Sequence, residues 1–193
     1  MPLVPKRRVV INPEETDIDR YKSGKGYLPA SGLGPVLPPR WCADEMLGRL
    51  ARYLRFVGLD TSYVRGLTDL EVILRCREEG RFLLTRDHEL AGRVPESLCL
   101  ESPLVEQQWK EVRVRFPDLP SVVRFDRCSI CNGVLTAYAP PPGARLPPGT
   151  PLDRVGAGLQ LYRCRACGHV YWAGSHTADL RDRIRRWSAP EVL

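Results

Sequence analysis

The chain has 193 residues, 43% apolar and 27% charged, which is enough to bury one medium core or two small ones. No apolar run approaches the ~18 residues of a membrane helix, and "MPLVPKRRVVINPEE" lacks the apolar stretch of a secretory signal, so the expectation is a cytoplasmic protein with no membrane partner. The net charge of +6 permits a polyanionic partner, and ten Arg against five Asp and Glu place +5 of it from Ser121 onward.

Residues 1–39 hold seven prolines and four glycines without sustained periodicity. "GYLPASGLGPVLPP" cannot be a regular helix or a central strand. The region reads as an extended or disordered arm, or one that docks on the domain through Val9, Val10 and Ile11.

From Arg40 the pattern alternates strand and helix, and residues 40–120 are expected to form the first folded unit. Asp44 to Val57 carries Leu47, Leu50, Ala51, Leu54 and Val57 as an i, i+3, i+4 stripe facing a core. Gly58 ends that helix, and "LDTSYV" is the next strand. In "TDLEVILRCREEG" Thr68 and Glu71 have capping-box spacing, and Gly80 stands where a C-terminal glycine belongs. "RFLLT" is a short buried strand, "RDHELAGR" a brief helix, "SLCLES" a further strand, and Ser102-Pro103 starts a helix to about Arg115. Such alternation predicts an open α/β fold, a parallel sheet covered on both faces.

Residues 121–193 differ in texture. Cys128-x-x-Cys131 and Cys164-x-x-Cys167 are separated by 32 residues that include the proline-rich "APPPGARLPPGTP". Two such turns supply the four thiolates of a tetrahedral Zn²⁺ site, with Gly133 and Gly168 allowing the left-handed backbone such turns often need. A structural zinc contributes roughly 10–16 kcal/mol of apparent binding energy, which would offset the poor core of this segment. Thiol redox is the rival chemistry, although that motif usually occurs once and in a βαβ context. Cys42, Cys76 and Cys99 fall among apolar neighbours and read as core thiols. A closing helix over Thr177 to Trp187 aligns Leu180, Ile184 and Trp187. It also bears Arg181, Arg183, Arg185 and Arg186, with Asp179–Arg183 and Asp182–Arg186 at i, i+4.

The functional crevice of an open parallel sheet lies at the carboxyl ends of its strands. Asp44 follows the first strand, Asp87 follows "FLLTR", and Asp69 opens the second helix on the same edge. Three converging carboxylates need a cation or protonation, and hard oxygen ligands favour Mg²⁺ or Mn²⁺. Each acid has a second reading. Asp69 complements a helix dipole, Glu71 completes the capping box, and Asp44 and Asp87 can be helix caps.

"ADEMLGRLARYLRFVGLDTSY", "TDLEVILRCREEGRFLLTRDHELAGR", "RCSICNG" and "YRCRACGHVYWAGSH", in order over roughly residues 40 to 180, resemble the Mut-seven C-terminal RNase domain family. The resemblance implies a PIN-like nuclease domain followed by a zinc ribbon, and a Mg- or Mn-dependent ribonuclease acting in the cytoplasm. It implies that Asp44, Asp69 and Asp87 are the catalytic, metal-binding acids. Thr85, in the "TRD" signature, would hydrogen-bond within the site, and Arg49 and Arg52 would lie near the acids or the bound backbone. PIN-type enzymes usually have a fourth acid, for which Glu71, Glu45 and Glu89 are candidates in that order. PIN-type hydrolysis would leave a 5′-phosphate and a 3′-hydroxyl. The ribbon is then an RNA-docking module for single-stranded or structured RNA. Tyr162, Tyr171 and Trp172 would stack on bases, Arg163 and Arg165 would contact phosphates, and His176 would contact substrate or simply start a helix. The competing expectation is a non-catalytic RNA- or ribosome-associated adaptor on the same fold.

Overall fold

A computed structural model describes residues 37–38 and 40–189. The proline-rich arm, including Val9, Val10 and Ile11, otherwise lies outside the described residues. Leu37 packs against the main core.

Four parallel strands, β1 (Arg40–Ala43), β2 (Asp60–Tyr63), β3 (Phe82–Thr85) and β4 (Ser97–Cys99), form one sheet in the order β2-β1-β3-β4. Side chains alternate across a strand, and both faces of this sheet are covered. Trp41, Ala43, Phe82 and Leu84 point to one face and Cys42 and Leu83 to the other. A parallel sheet needs cover on both sides because crossover helices lie there. This is the open α/β sheet that the strand–helix alternation predicts, and it agrees with a PIN-like fold.

A single 3-10 turn, Glu45–Leu47, leads into α1 (Gly48–Phe56). The predicted stripe is fully inside: Leu47, Leu50, Ala51, Leu54 and Val57 are each 0–1% exposed. Helix α2 (Asp69–Glu79) starts on the predicted capping box, both of whose bonds are present, and ends at Gly80 with φ +59°. Helix α3 (His88–Arg93) covers the same face as α2 through Leu90, beside Val72 and Cys76. Helix α4 (Val105–Arg115) buries Trp109 and Val112 on the face shared with α1. Trp41, Phe82 and Phe116 meet there edge to face at centroid distances of 5.1–5.6 Å.

Beyond Pro117, strands β5 (Leu135–Tyr138), β6 (Leu161–Cys164) and β7 (Val170–Trp172) form an antiparallel sheet in that order, with the short helix α5 (Leu152–Gly156) in the intervening loop. Sequence position groups the closing helix α6 (Ser175–Ser188) with this ribbon, yet its apolar side goes elsewhere. Leu180, Ile184 and Trp187 join the main core, where Trp187 meets Tyr53 at 4.6 Å and Trp109 at 6.5 Å. The apolar cluster of the ribbon is small, built on Cys128, Leu135 and Cys164, whereas the α1–α4 face belongs to the main core and takes the stripe. Among the described residues the ion pair on this helix is Asp182–Arg185 at 2.7 Å, at i, i+3 rather than at the i, i+4 spacing.

The ribbon and the parallel sheet are joined by a polar junction at β2. Arg55, 4% exposed, donates through Nε to the Thr61 carbonyl and through Nη1 to the carbonyls of Ser129 and Ile130, at 2.8, 3.1 and 3.0 Å. Asn132 accepts from the Thr61 amide at 3.0 Å and donates to Asp60 at 2.8 Å. Asp60 also pairs with Arg81 at 2.8 Å and Arg127 at 3.3 Å. Burial would push the Asp60 carboxyl up, but the hydrogen bonds from Arg81 and Asn132 and the charges of Arg81 and Arg127 hold it below the usual carboxylate range.

Because the folded pKa of Asp60 is depressed, its stabilisation is fully present above the unfolded pKa of about 3.9 and is lost as pH falls through the folded value. Asp60→Asn is expected to cost about 1.5–3 kcal/mol at neutral pH, because Arg81 and Arg127 lose a charged acceptor in a largely buried site, although Arg81 keeps its pair with Glu79. Urea unfolding should show that deficit at pH 7 and a smaller one at about pH 3. An equal deficit at both pH values would refute the assignment.

Candidate active site and metal centre

Strands β1 and β3 are neighbours, so their carboxyl ends lie side by side. The Asp44 amide donates to the Leu84 carbonyl at 3.1 Å, which carries the pairing one residue past β1. Its carboxylate is held in three ways and the residue is only 6% exposed. Oδ1 accepts from the Met46 amide at 2.9 Å, while Oδ2 accepts from the Thr85 hydroxyl and from the Arg86 amide at 3.3 Å. A buried carboxylate requires such donors, since an unpaired charge there is costly. The Thr85 oxygen in turn accepts from the Asp87 amide at 2.9 Å. Thr85, fully buried, therefore bridges Asp44 and the backbone of Asp87. The Asp87 carboxylate caps α3 by accepting from the Leu90 amide at 3.0 Å.

Asp69 sits apart from this bridge. Its carboxylate pairs with Arg93 of α3 at 3.0 Å, both side chains about half exposed. Among the described residues, the groups that bring three metal-ligating atoms within 4.8 Å of one another are the four ribbon cysteines and His88, Cys99 and Glu101, not the three aspartates. Of the arginines in the first helix, Arg49 and Arg52 are exposed and Arg55 is buried at the ribbon junction.

Other acids sit on this edge. Thr85 of β3 is in register with Cys99 of β4. Burial pushes the Cys99 thiol up, and the charges of Glu101, Asp87, Asp44 and Glu111 push it further. Cys99 is thus a half-buried thiol facing carboxylates rather than a core thiol; Cys42 and Cys76 are buried as expected. Glu111 on α4 accepts from the Glu101 and Ser102 amides at 2.8 and 3.1 Å and fixes the turn after β4. The candidates for a fourth acid lie elsewhere. Glu71 is taken by the Thr68 amide and hydroxyl, and Glu45 accepts from the Gly66 amide at 3.2 Å. Glu89 is exposed in the first turn of α3. The strand-end rule that picks out Asp44 and Asp87 also points to Glu101, two residues past β4. Beside them Arg86 has its Nε buried without a hydrogen-bond partner.

In the ribbon, the Sγ atoms of Cys128 and Cys167 are 3.6 Å apart and those of Cys131 and Cys164 are 3.5 Å apart, all four within 4.8 Å. An all-sulfur tetrad from two knuckles fits one structural Zn²⁺. The second knuckle turns at Gly168, φ +75°, as predicted. In the first knuckle the left-handed residue is Asn132, φ +68°, which tolerates that region. Gly133 is needed for another reason: a Cβ there would lie 2.8 Å from the Cys164 sulfur and 2.9 Å from the Ala166 Cβ. Burial and the neighbouring Cys128 push the Tyr171 phenol up, so it stays protonated, with its oxygen 3.1 Å from the Cys128 sulfur.

The Tyr171 ring meets that of His169 edge to face at 4.7 Å, and Tyr162 is stacked on Phe125, 4.7 Å apart and 6° from parallel. Trp172 is half-buried at the end of β7, while Arg165 and His176 are exposed. The Arg163 guanidinium lies 5.3 Å from the Tyr138 ring centroid. Both line a cavity of about 330 Å³ together with Arg145, Pro147 and Gly168.

A family model described as the Mut7-C RNAse domain matches residues 39–184. No curated protein and no solved structure matches the chain.

Gly133→Ala is expected to force the two knuckles apart and destabilise the ribbon by about 1–3 kcal/mol. Zinc retention against a chelator and thermal unfolding should both fall. Unchanged zinc retention would show that the knuckles absorb the added methyl.

Proposed function

The chain belongs to the Mut7-C RNAse domain family, and from that premise we propose that it is a metal-dependent ribonuclease with its hydrolytic site at the carboxyl edge of the parallel sheet. The observation that carries this reading is the Thr85 bridge, which gathers Asp44 and Asp87 from two strand ends into one locus. With Mg²⁺ or Mn²⁺ held by Asp44 and Asp87, the site would have the charge neutralisation and acidified water that in-line hydrolysis of a phosphodiester uses.

The chain's own residues prepare that chemistry. Met46, Thr85 and Arg86 fix the Asp44 carboxylate in advance. Asp69 is the third acid, and reaching a shared cation requires its pair with Arg93 to open. Arg49, Arg52 and Arg86 would hold phosphates near the acids, and the products would carry 5′-phosphate and 3′-hydroxyl ends. The ribbon would dock RNA through Arg163, Arg165, Trp172 and His176, with Arg145 and Tyr138 adding a basic, aromatic cavity. Among the described residues no helix is long and apolar enough to cross a membrane.

A non-catalytic RNA- or ribosome-associated adaptor is the second reading, favoured by two observations: Asp69 is paired with Arg93, and Asp44 and Asp87 both cap helical turns. Divalent-dependent cleavage of labelled RNA separates the two. Asp44→Asn and Asp87→Asn should each lower it on the order of 100-fold or more, and Asp69→Asn less. Wild-type cleavage by both of the first two variants would exclude this site, and RNA binding without cleavage at any Mg²⁺ or Mn²⁺ concentration would select the adaptor.

Replacing Arg145 and Arg163 by Ala should weaken RNA binding. For single strands the slope of log affinity against log salt should shrink by about 0.7 for each phosphate no longer neutralised. An unchanged slope would remove this cavity from the RNA path.

A further inference from the structure

We propose that His88, Cys99 and Glu101 form a second metal site, for one ion of the Zn²⁺ class, at the carboxyl end of β4. Each ligand comes from a different piece of backbone: the first residue of α3, the last of β4, and the turn beyond it. Their Nε2 or Nδ1, Sγ and carboxylate oxygen atoms lie within 4.8 Å of one another, and Nε2 of His88 is 3.6 Å from Oε2 of Glu101.

The donor set selects the metal. Imidazole and thiolate favour Zn²⁺ over Mg²⁺ or Ca²⁺, which prefer oxygen throughout. Three protein ligands with a fourth position left for water or another group is the composition of reactive zinc sites rather than stapling ones. The surroundings favour a cation as well, since Asp44, Asp87 and Glu111 add negative charge around the Cys99 thiol. The ligands rest on fixed backbone. The Leu100 amide donates to the Thr85 carbonyl at 2.8 Å, and the Glu111 carboxylate holds the amides of Glu101 and Ser102. His88 and Glu101 are 71% and 73% exposed in their side chains, so an ion has an open path.

Binding would displace the thiol proton of Cys99 to solvent. The register of Thr85 with Cys99 sets this site beside the Asp44–Thr85–Asp87 bridge. It uses neither aspartate and stands whether or not the chain cleaves RNA.

The test is titration of the full chain, with zinc already in the four-cysteine centre, by Zn²⁺ alone, followed by calorimetry and metal analysis. A parallel titration with Co²⁺ reads thiolate-to-metal charge transfer. The expected result is a second equivalent in wild type, weakened at least tenfold in each of Cys99→Ala, His88→Ala and Glu101→Gln. Each variant should keep the first ion, which shows that it folds. The charge-transfer band of the second equivalent should vanish in Cys99→Ala. Saturation of wild type at one ion would mean that His88 and Glu101 are a surface ion pair only, and would overturn the proposal. So would a second ion untouched by Cys99→Ala, or one removed by Asp44→Asn alone, which would assign it to the aspartates.

Discussion

A guanidinium cannot be buried without acceptors, and the placement of Arg55 sets the relation between the two sheets. Its side chain leaves α1, passes the Thr61 carbonyl of β2, and ends on two carbonyls of the first cysteine knuckle. Burial lowers its pKa, but an arginine stays charged, so the acceptors must stay in place. Unfolding the ribbon would remove two of its three acceptors and leave water to replace them, a loss of about 1.5–3 kcal/mol for hydrogen bonds to a charged group. Whatever orders the knuckle therefore also stabilises the parallel sheet. The ribbon is a wall of the domain rather than a tethered module, and α6, packed on α1 and α4, closes the arrangement from the other side.

The acid edge inherits its order from the same frame. Capping does not rule out catalysis at Asp44. A carboxylate offers about four lone-pair positions, and three are taken by Met46, Thr85 and Arg86. Those bonds use up acceptor capacity but fix the orientation of the group before any substrate arrives, which a working site requires. Asp69 is arranged in the opposite way. It has an arginine partner on the surface and no buried hydroxyl to aim it.

Signals that act within a few residues are legible in the sequence. The stripe of α1, the Thr68–Glu71 box, the Gly80 stop and the two knuckles each depend on local spacing, and each is where the pattern puts it. What escapes such reading depends on partners far along the chain. Arg49, Arg52 and Arg55 look alike at i, i+3 and i+6, and only the docking of the ribbon makes Arg55 internal. Cys99 has apolar neighbours in sequence, but it ends β4 on the charged edge. Spacing alone assigns Gly133 to backbone freedom, whereas its position answers to the Cys164 sulfur. Tyr162 and Tyr171 have the sequence context of free platforms, and the rings of Phe125 and His169 pack against them.

Charge explains why a frame this rigid suits the proposed activity. Like charges about 4 Å apart repel by on the order of 4 kcal/mol at an effective dielectric of 20, so an edge bearing Asp44, Asp87, Glu101 and Glu111 repels a phosphodiester until cations offset it. Attraction must come from elsewhere. The residues from Ser121 onward carry a net +5, yet screening confines a surface charge to about 8 Å at physiological salt. A basic surface on a loose tether would hold RNA without directing it. With the knuckle locked to β2 through Arg55 and Asn132, the arginines of the ribbon keep one distance and direction from the acids. That fixed offset would decide which phosphate of a bound strand reaches the edge, so cleavage position would be set by docking more than by base identity.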